Sequence, residues 1–298
     1  MTRQSDSGEA LTSHPPAPSP DARGTVGAAA GAAGEERIAR AFELARDEGR
    51  AALMPYMMGG FPDHDTSLAL AAAYADSGAD LIELGIPFSD PLADGPTIHA
   101  AATSALAAGA NVERALEICG SVAGRIPVVL MVYANMVLAH GGAERFAARA
   151  AEAGAAGAIV PDLPLGQAEE IRDAFGAAGL ALVPLVAPTT PAGRLGQICE
   201  VARGFVYVVS TVGTTGERDV LPEQLADLVA ATKAESDVPV AVGFGIGTPE
   251  QAAQVGEVAD GVIIGSRLVR AADEAGSAEA AAEAVSEFLR ETRVALAG

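Results

Sequence analysis

Three carboxylates and no cation occupy residues 82–96, IELGIPFSDPLADGP: Glu83, Asp90 and Asp94. A carboxylate carried inward by an apolar strand loses hydration, which is costly unless the group is paired or used. Side chains alternate along DLIELG (80–85), so Leu81, Glu83 and Gly85 share one face and Ile82 and Leu84 the other. Partial desolvation raises a carboxyl pKa, and that suits Glu83 to proton transfer near neutral pH. The plainer use of the same residue is a salt bridge to an Arg or Lys from elsewhere in the chain. Asp94 precedes Gly95, Pro96 and the helical run TIHAAATSALAAG, so it reads either as that helix's cap or as a second working acid. Asp90, before Pro91, reads as a turn former.

A second group of residues suggests an anion. GFGIGTPEQ (243–251) and GSRLV (265–269) each run from an apolar strand through glycine into a helix, with Thr248 as candidate cap and Pro249 at the first helical position. Helix starts present free N–H groups and a partial positive charge, and two such turns in succession near the chain's end suit a phosphate. A longer glycine loop, STVGTTGERD (210–219), has the length of a mobile lid. Tyr56, Met131, Tyr133, Tyr207 and Phe244 fall at strand ends. Singly they read as core; together they would line an apolar slot for a flat ring.

The elements that must position these residues repeat one phrase: a helical pattern, a glycine, a short apolar strand. It recurs as YADSGADLIELG, AAEAGAAGAIVPD, AFGAAGLALVPLV and VARGFVYVVS. Strands are expected at 52–58, 80–84, 127–133, 157–161, 180–186, 205–210, 239–244 and 261–265, with helices between them. Eight strands alternating with helices predict a (β/α)8 TIM barrel, with a doubly wound open sheet as the alternative. In a barrel the loops after the strands carry the chemistry. An additional N-terminal helix is expected within EERIARAFELARDEGR (35–50), with Ile38, Phe42 and Leu44 as its apolar face. Residues 1–34, rich in Pro, Ser, Gly and Ala without hydrophobic period, read as a disordered extension, which leaves 35–298 as one catalytic domain.

Composition narrows the partners. The 298 residues carry a net charge of −20 and no Lys/Arg-rich run, which argues against nucleic acid and anionic membrane. No apolar run has the length of a membrane helix, and no secretory signal is recognised, so a cytoplasmic protein is expected. Cys119 and Cys199 lie far apart and read as buried thiols, with neither a disulfide framework nor a metal site expected.

With Ile82 in place of one Leu, residues 82–98 closely resemble the signature of the tryptophan synthase alpha subunit family. YAN (133–135), PDLP (161–164), GFGI (243–246) and GS (265–266) resemble the family's other motifs in the same order. The resemblance covers residues 35–298 and implies a (β/α)8 barrel. It implies retro-aldol cleavage of indole-3-glycerol phosphate to indole and glyceraldehyde 3-phosphate, without a cofactor, the last step of tryptophan synthesis beginning here. Indole would pass to a pyridoxal-phosphate-dependent beta subunit in an alpha2beta2 tetramer. By the same resemblance Glu83 moves the protons and Asp94 accepts the indole N–H. Gly216, Gly243, Gly245, Gly265 and Ser266 would hold phosphate, and Tyr56, Met131, Tyr133 and Phe244 the indole ring. Tyr207 would place a hydroxyl near Glu83. The loop at 210–219, the leader and Arg267 depart from the family's pattern. A free-standing lyase that releases indole and a non-catalytic activator of a beta subunit are the alternative readings.

Overall fold

The computed structural model describes residues 24–139, 141–209, 223–243 and 245–298. Its strands are β1 (Ala52–Met58), β2 (Ile82–Gly85), β3 (Val128–Met131), β4 (Gly157–Ile159), β5 (Ala181–Val183), β6 (Leu185–Val186), β7 (Val206–Val209), β8 (Val240–Gly243) and β9 (Gly261–Ile264). The helices begin with α1 (Gly24–Asp47), α2 (His64–Asp76), α3 (Pro96–Ala107), α4 (Val112–Val122), α5 (Ala134–Leu138) and α6 (Gly142–Glu152). They continue with α7 (Glu169–Ala178), α8 (Ala192–Glu200), α9 (Glu223–Glu235), α10 (Pro249–Gly256), α11 (Ser266–Glu274) and α12 (Ala278–Leu296).

All pairings are parallel, in the order β5-β4-β3-β2-β1-β9-β8-β7-β6. The two ends of that order are halves of the single strand expected at 180–186, so the sheet curls into a nearly closed barrel and the open-sheet alternative falls. Pro184 divides the halves because it has no N–H to give a ladder. Its carbonyl still accepts from Tyr207 N at 3.0 Å, which hands the strand from β4 on one side to β7 on the other. β1 spans the residues expected, β2 starts two residues later than expected and runs one further, and the remaining strands sit where expected with ends trimmed by one or two residues.

Strand alternation separates two cores. Met54, Leu81, Val129, Ile159, Val183 and Ile263 point into the barrel. Ile82, Leu84, Leu130, Val208, Val242 and Ile264 point out against the helices. Helix α1 closes the barrel's N-terminal end with Ile38 and Phe42, whose ring lies 5.8 Å from that of Phe205. Leu44 does not share that face. One position before the buried Ala45, it turns to solvent and is 44% exposed. The helix also begins upstream of residue 35, at Gly24. Residues 24–34 are mostly alanine and glycine, and alanine's high helix propensity continues the helix there. Residues 1–23 lie outside the described residues. Both cysteines are buried and unpaired, as expected.

The barrel's N-terminal end is tied by ions. The Arg50 guanidinium, nearly fully buried, donates from Nη2 to Asp80 Oδ1 at 2.8 Å and from Nε to Glu48 at 2.8 Å. Asp80 Oδ2 also accepts the β1 amide of Leu53 at 2.7 Å. Asp260 repeats the device, accepting Val240 N at 2.8 Å. Removing Asp80 would leave the buried Arg50 only the half-exposed Glu48 and would orphan the Leu53 amide, a loss approaching the roughly 3–5 kcal/mol of a broken buried pair. Asp80→Ala should therefore lower the unfolding free energy by about that much in urea titration. A loss below about 1 kcal/mol would mean that Arg50 finds water or another partner.

Candidate active site

Register places the first acid. On β2, Glu83 lies opposite Tyr56 of β1 and Val129 of β3, on the inward face at the C-terminal end of the barrel. It is 2% exposed, and its Oε2 has no hydrogen-bond partner among the described residues. No cation among the described residues pairs with it, so the salt-bridge reading of Glu83 finds no partner there. Burial, reinforced by the charge of Asp94, pushes its carboxyl up to about 8. At neutral pH this group holds a proton that it can give away.

Asp94 does not cap α3. The cap is Gly95, with Pro96 opening the helix and no side-chain cap bond. Instead Tyr133 Oη donates to Asp94 Oδ1 at 3.0 Å and itself accepts from Ala93 N at 3.1 Å. Tyr133 stands immediately before α5, and the next amide, Ala134 N, donates to Asp162 Oδ1 at 2.8 Å. Two separate sequence stretches, YAN and PDLP, thus brace one another and then Asp94. Burial raises the Asp94 carboxyl, but the Tyr133 hydroxyl and the nearby His99 oppose that rise. The two acids therefore sit in unlike environments, one buried without a hydrogen-bond partner for its Oε2 among the described residues, the other hydrogen-bonded and half-buried.

Both face a cavity of about 110 Å³. Of the residues expected from sequence, Tyr56, Met131, Tyr207, Gly243, Gly245, Gly265 and Ser266 line it with Glu83 and Asp94. Tyr133 does not line it; it stands behind Asp94 with its ring 5.1 Å from that of Phe88. Phe244, Gly216 and the loop from Ser210 to Pro222 lie outside the described residues. Ile98, Pro161, Leu185, Val209, Ile246 and Ile263 also line the cavity and were not anticipated. Register would have revealed some of them. Leu185 lies opposite Tyr207, and Val209 opposite Gly243, on the inward face.

Two glycines make room for phenol rings. A Cβ on Gly85 would stand 2.2 Å from Tyr56 Oη, and one on Gly243 would stand 2.1 Å from Tyr207 Oη. Burial, with the charges of Asp94 and Glu83 on Tyr56 and of Glu83 on Tyr207, holds both phenols protonated. At the far end Gly265 leads β9 into α11, where Ser266 is buried at the helix start. On α10, Thr248 caps the helix and Pro249 is its first residue, as expected. Arg267 is engaged elsewhere, its guanidinium 5.1 Å from the Phe288 ring centroid of α12. The site thus combines a protonated acid, a braced acid, an apolar slot and a helix start suited to an anion. That is equipment for moving protons on an apolar ring tethered to an anionic group. No group of three or more potential metal ligands occurs among the described residues.

The model for the family "Tryptophan synthase alpha chain" matches residues 42–297. The tryptophan synthase alpha chain of Synechococcus sp. (strain CC9902) is 50% identical over 250 residues, covering 83% of this chain and 93% of its own length. That of Geobacillus stearothermophilus is 45% identical over 242 residues, covering 79% and 89%. Among solved structures, a chain of Mycobacterium tuberculosis tryptophan synthase matches with a TM-score of 0.81 at 38% identity, covering 87% of this chain and 98% of that one. Tryptophan synthase subunit alpha from Legionella pneumophila matches with a TM-score of 0.79 at 36% identity, covering 87% and 98%.

The state of Glu83 has a consequence for stability. Its folded pKa, about 8, stands above the ordinary 4.5, so the native state keeps a proton that the unfolded chain releases. Its contribution is whole below pH 4.5 and is lost as pH rises to about 8. Glu83→Gln, neutral throughout, should unfold at higher denaturant than the parent at pH 8 and match it near pH 4. Parallel pH profiles for the two proteins would contradict the buried, protonated acid.

Proposed function

The chain belongs to the tryptophan synthase alpha chain family, and from that premise we propose how its own residues cleave indole-3-glycerol phosphate into indole and glyceraldehyde 3-phosphate. The reaction breaks the bond between indole C3 and the carbinol carbon of the side chain. Glu83 gives its proton to C3, which turns the ring into an indolenine cation with its charge at the ring nitrogen. Asp94 accepts the ring N–H and balances that charge. Glu83, now a carboxylate, takes the proton of the carbinol hydroxyl. The O–H electrons form the aldehyde C=O, and those of the C–C bond return to the ring. Protons and electrons balance, and the acid ends as it began. The observation that carries this reading is a buried carboxyl at the barrel mouth whose Oε2 has no hydrogen-bond partner among the described residues, and burial pushes that group up to about 8. General acids and bases work best when their pKa lies near the working pH.

Tyr56, Met131 and Tyr207 form the indole slot, and Tyr133 contributes by holding Asp94. Tyr207 places a protonated phenol near Glu83. The amides at Gly265 and Ser266, with Gly243 and Gly245, receive the phosphate at the α11 start. Every step uses side chains and amides of this chain alone.

As a tryptophan synthase alpha chain the protein works with a beta subunit, and an alpha2beta2 assembly is the proposed form. Leu92, on the loop that carries Asp94, is 83% exposed and offers apolar surface to such a partner. Among the described residues no helix is long and apolar enough to cross a membrane. A cytoplasmic location suits a chain that acts on a small phosphorylated intermediate.

Glu83→Gln should lower the rate of indole formation roughly 10²–10⁴-fold, the usual worth of a general acid–base group. Asp94→Asn should cost less, because it removes charge balance rather than the proton. A near-normal rate for Glu83→Gln would make the acid structural and leave the activator reading standing. Gly265→Val should raise KM for the phosphorylated substrate, since its methyls would enter the anion end. An unchanged KM would remove Gly265 from the phosphate site. Mixing the chain with a cognate beta subunit should speed cleavage and give co-elution. Neither effect would point to the free-standing lyase.

A further inference from the structure

A second cavity backs onto the active-site cavity. Pro161, just after β4, and Leu185, in β6, line both. They lie where Pro184 divides its strand: β5 pairs with β4 and β6 pairs with β7, and β4 and β6 are not neighbours in the sheet. At this seam, side chains rather than a backbone ladder part the two spaces.

The outer cavity, between α7 and α8, has a volume of about 230 Å³, small beside the roughly 300–1,000 Å³ of drug-sized sites and suited to a ligand of one or two fused rings. Leu163, Leu165, Leu182 and Ile198 supply much of its wall. Among the described residues its only charged lining residues are Arg172 of α7 and Arg194 of α8, and no Asp or Glu lines it. Among the described residues neither guanidinium meets a carboxylate or donates a hydrogen bond. The chain has 39 acids against 19 Lys and Arg, so an apolar recess with arginines and no acid runs against its composition. Several cations elsewhere have acids: Arg50 has Asp80, Arg149 has Glu113 and Lys233 has Asp260.

We propose that this outer cavity binds a small organic anion with a flat apolar body, an arylcarboxylate. The ring would lie against the leucines and Ile198, and the carboxylate would take the guanidinium forks, whose planar geometry matches it. The site is separate from that of the indole substrate and shares only the partition of Pro161 and Leu185.

Calorimetric titration of the whole chain with 2-naphthoate tests this, with the active-site slot first saturated by indole-3-propanol phosphate, a substrate analogue that lacks the carbinol. One equivalent of naphthoate should bind. The uncharged 2-naphthamide should bind at least about ten-fold more weakly, as loss of a charge-assisted hydrogen bond implies. The double variant Arg172→Met, Arg194→Met should weaken naphthoate by a similar factor while the thermal midpoint and indole formation stay unchanged. Arg194→Gln alone, at an exposed position of α8, should weaken it in the same direction. Absence of binding with the slot blocked, equal affinity for the amide, or full affinity in the arginine variants would overturn the proposal.

Discussion

The protein's chemistry depends on one electrostatic cost, the desolvation of the Glu83 carboxyl at the C-terminal end of β2. Ionised in water the group would be inert as an acid at neutral pH. Buried at 2% exposure, with no cation beside it among the described residues and with Asp94 nearby, it keeps its proton up to about pH 8. The surrounding structure sustains that state. Tyr56 and Tyr207 fill the space left by the missing side chains of Gly85 and Gly243, and they exclude water with phenols that stay neutral. Tyr133 hydrogen-bonds Asp94 rather than Glu83, so the two acids do not settle into equivalent positions. Unlike environments give like residues different roles.

The two ends of the barrel divide the work. At the N-terminal end Arg50, Glu48, Asp80 and Arg293 form a closed set of ion pairs, and Phe42 of α1 seals the interior against Phe205. These groups are mutually satisfied and serve stability. At the C-terminal end an acid is left unsatisfied, and such a group stays buried only because the rest of the barrel fixes its strand. The break at Pro184 is the exception to the regular wall. It leaves a seam of side chains between the active-site cavity and a second, arginine-lined recess.

Much of this was legible in the residues themselves. The alternation in DLIELG assigned Glu83 inward and Ile82 and Leu84 outward, because period two leaves only one choice once the face of one residue is known. The glycine turns before α10 and α11 were legible because capping chemistry is local. What depended on tertiary contact was not. Asp94 reads equally well as a helix cap until Tyr133, 39 positions away, is seen to donate to it. Leu180–Val186 reads as one strand because apolar content hides which carbonyls and amides find partners on each side of Pro184. Leu44 looks apolar-faced by spacing, yet α1 buries Ala45 instead. Arg172 and Arg194 carry no sequence signal, since their significance lies in the absence of acids around them in space.

The central claim concerns the proton on one carboxyl, and that proton can be followed directly. Carbon-detected NMR of the protein labelled at glutamate carboxyl carbons, with Glu83→Gln to assign the resonance, gives the titration midpoint of Glu83 in the folded chain. The structure predicts a midpoint of about 8, far above the ordinary 4.5. A midpoint near 4.5 would mean that Glu83 is ionised in the resting site, and the proton transfer argued from its burial would then be wrong.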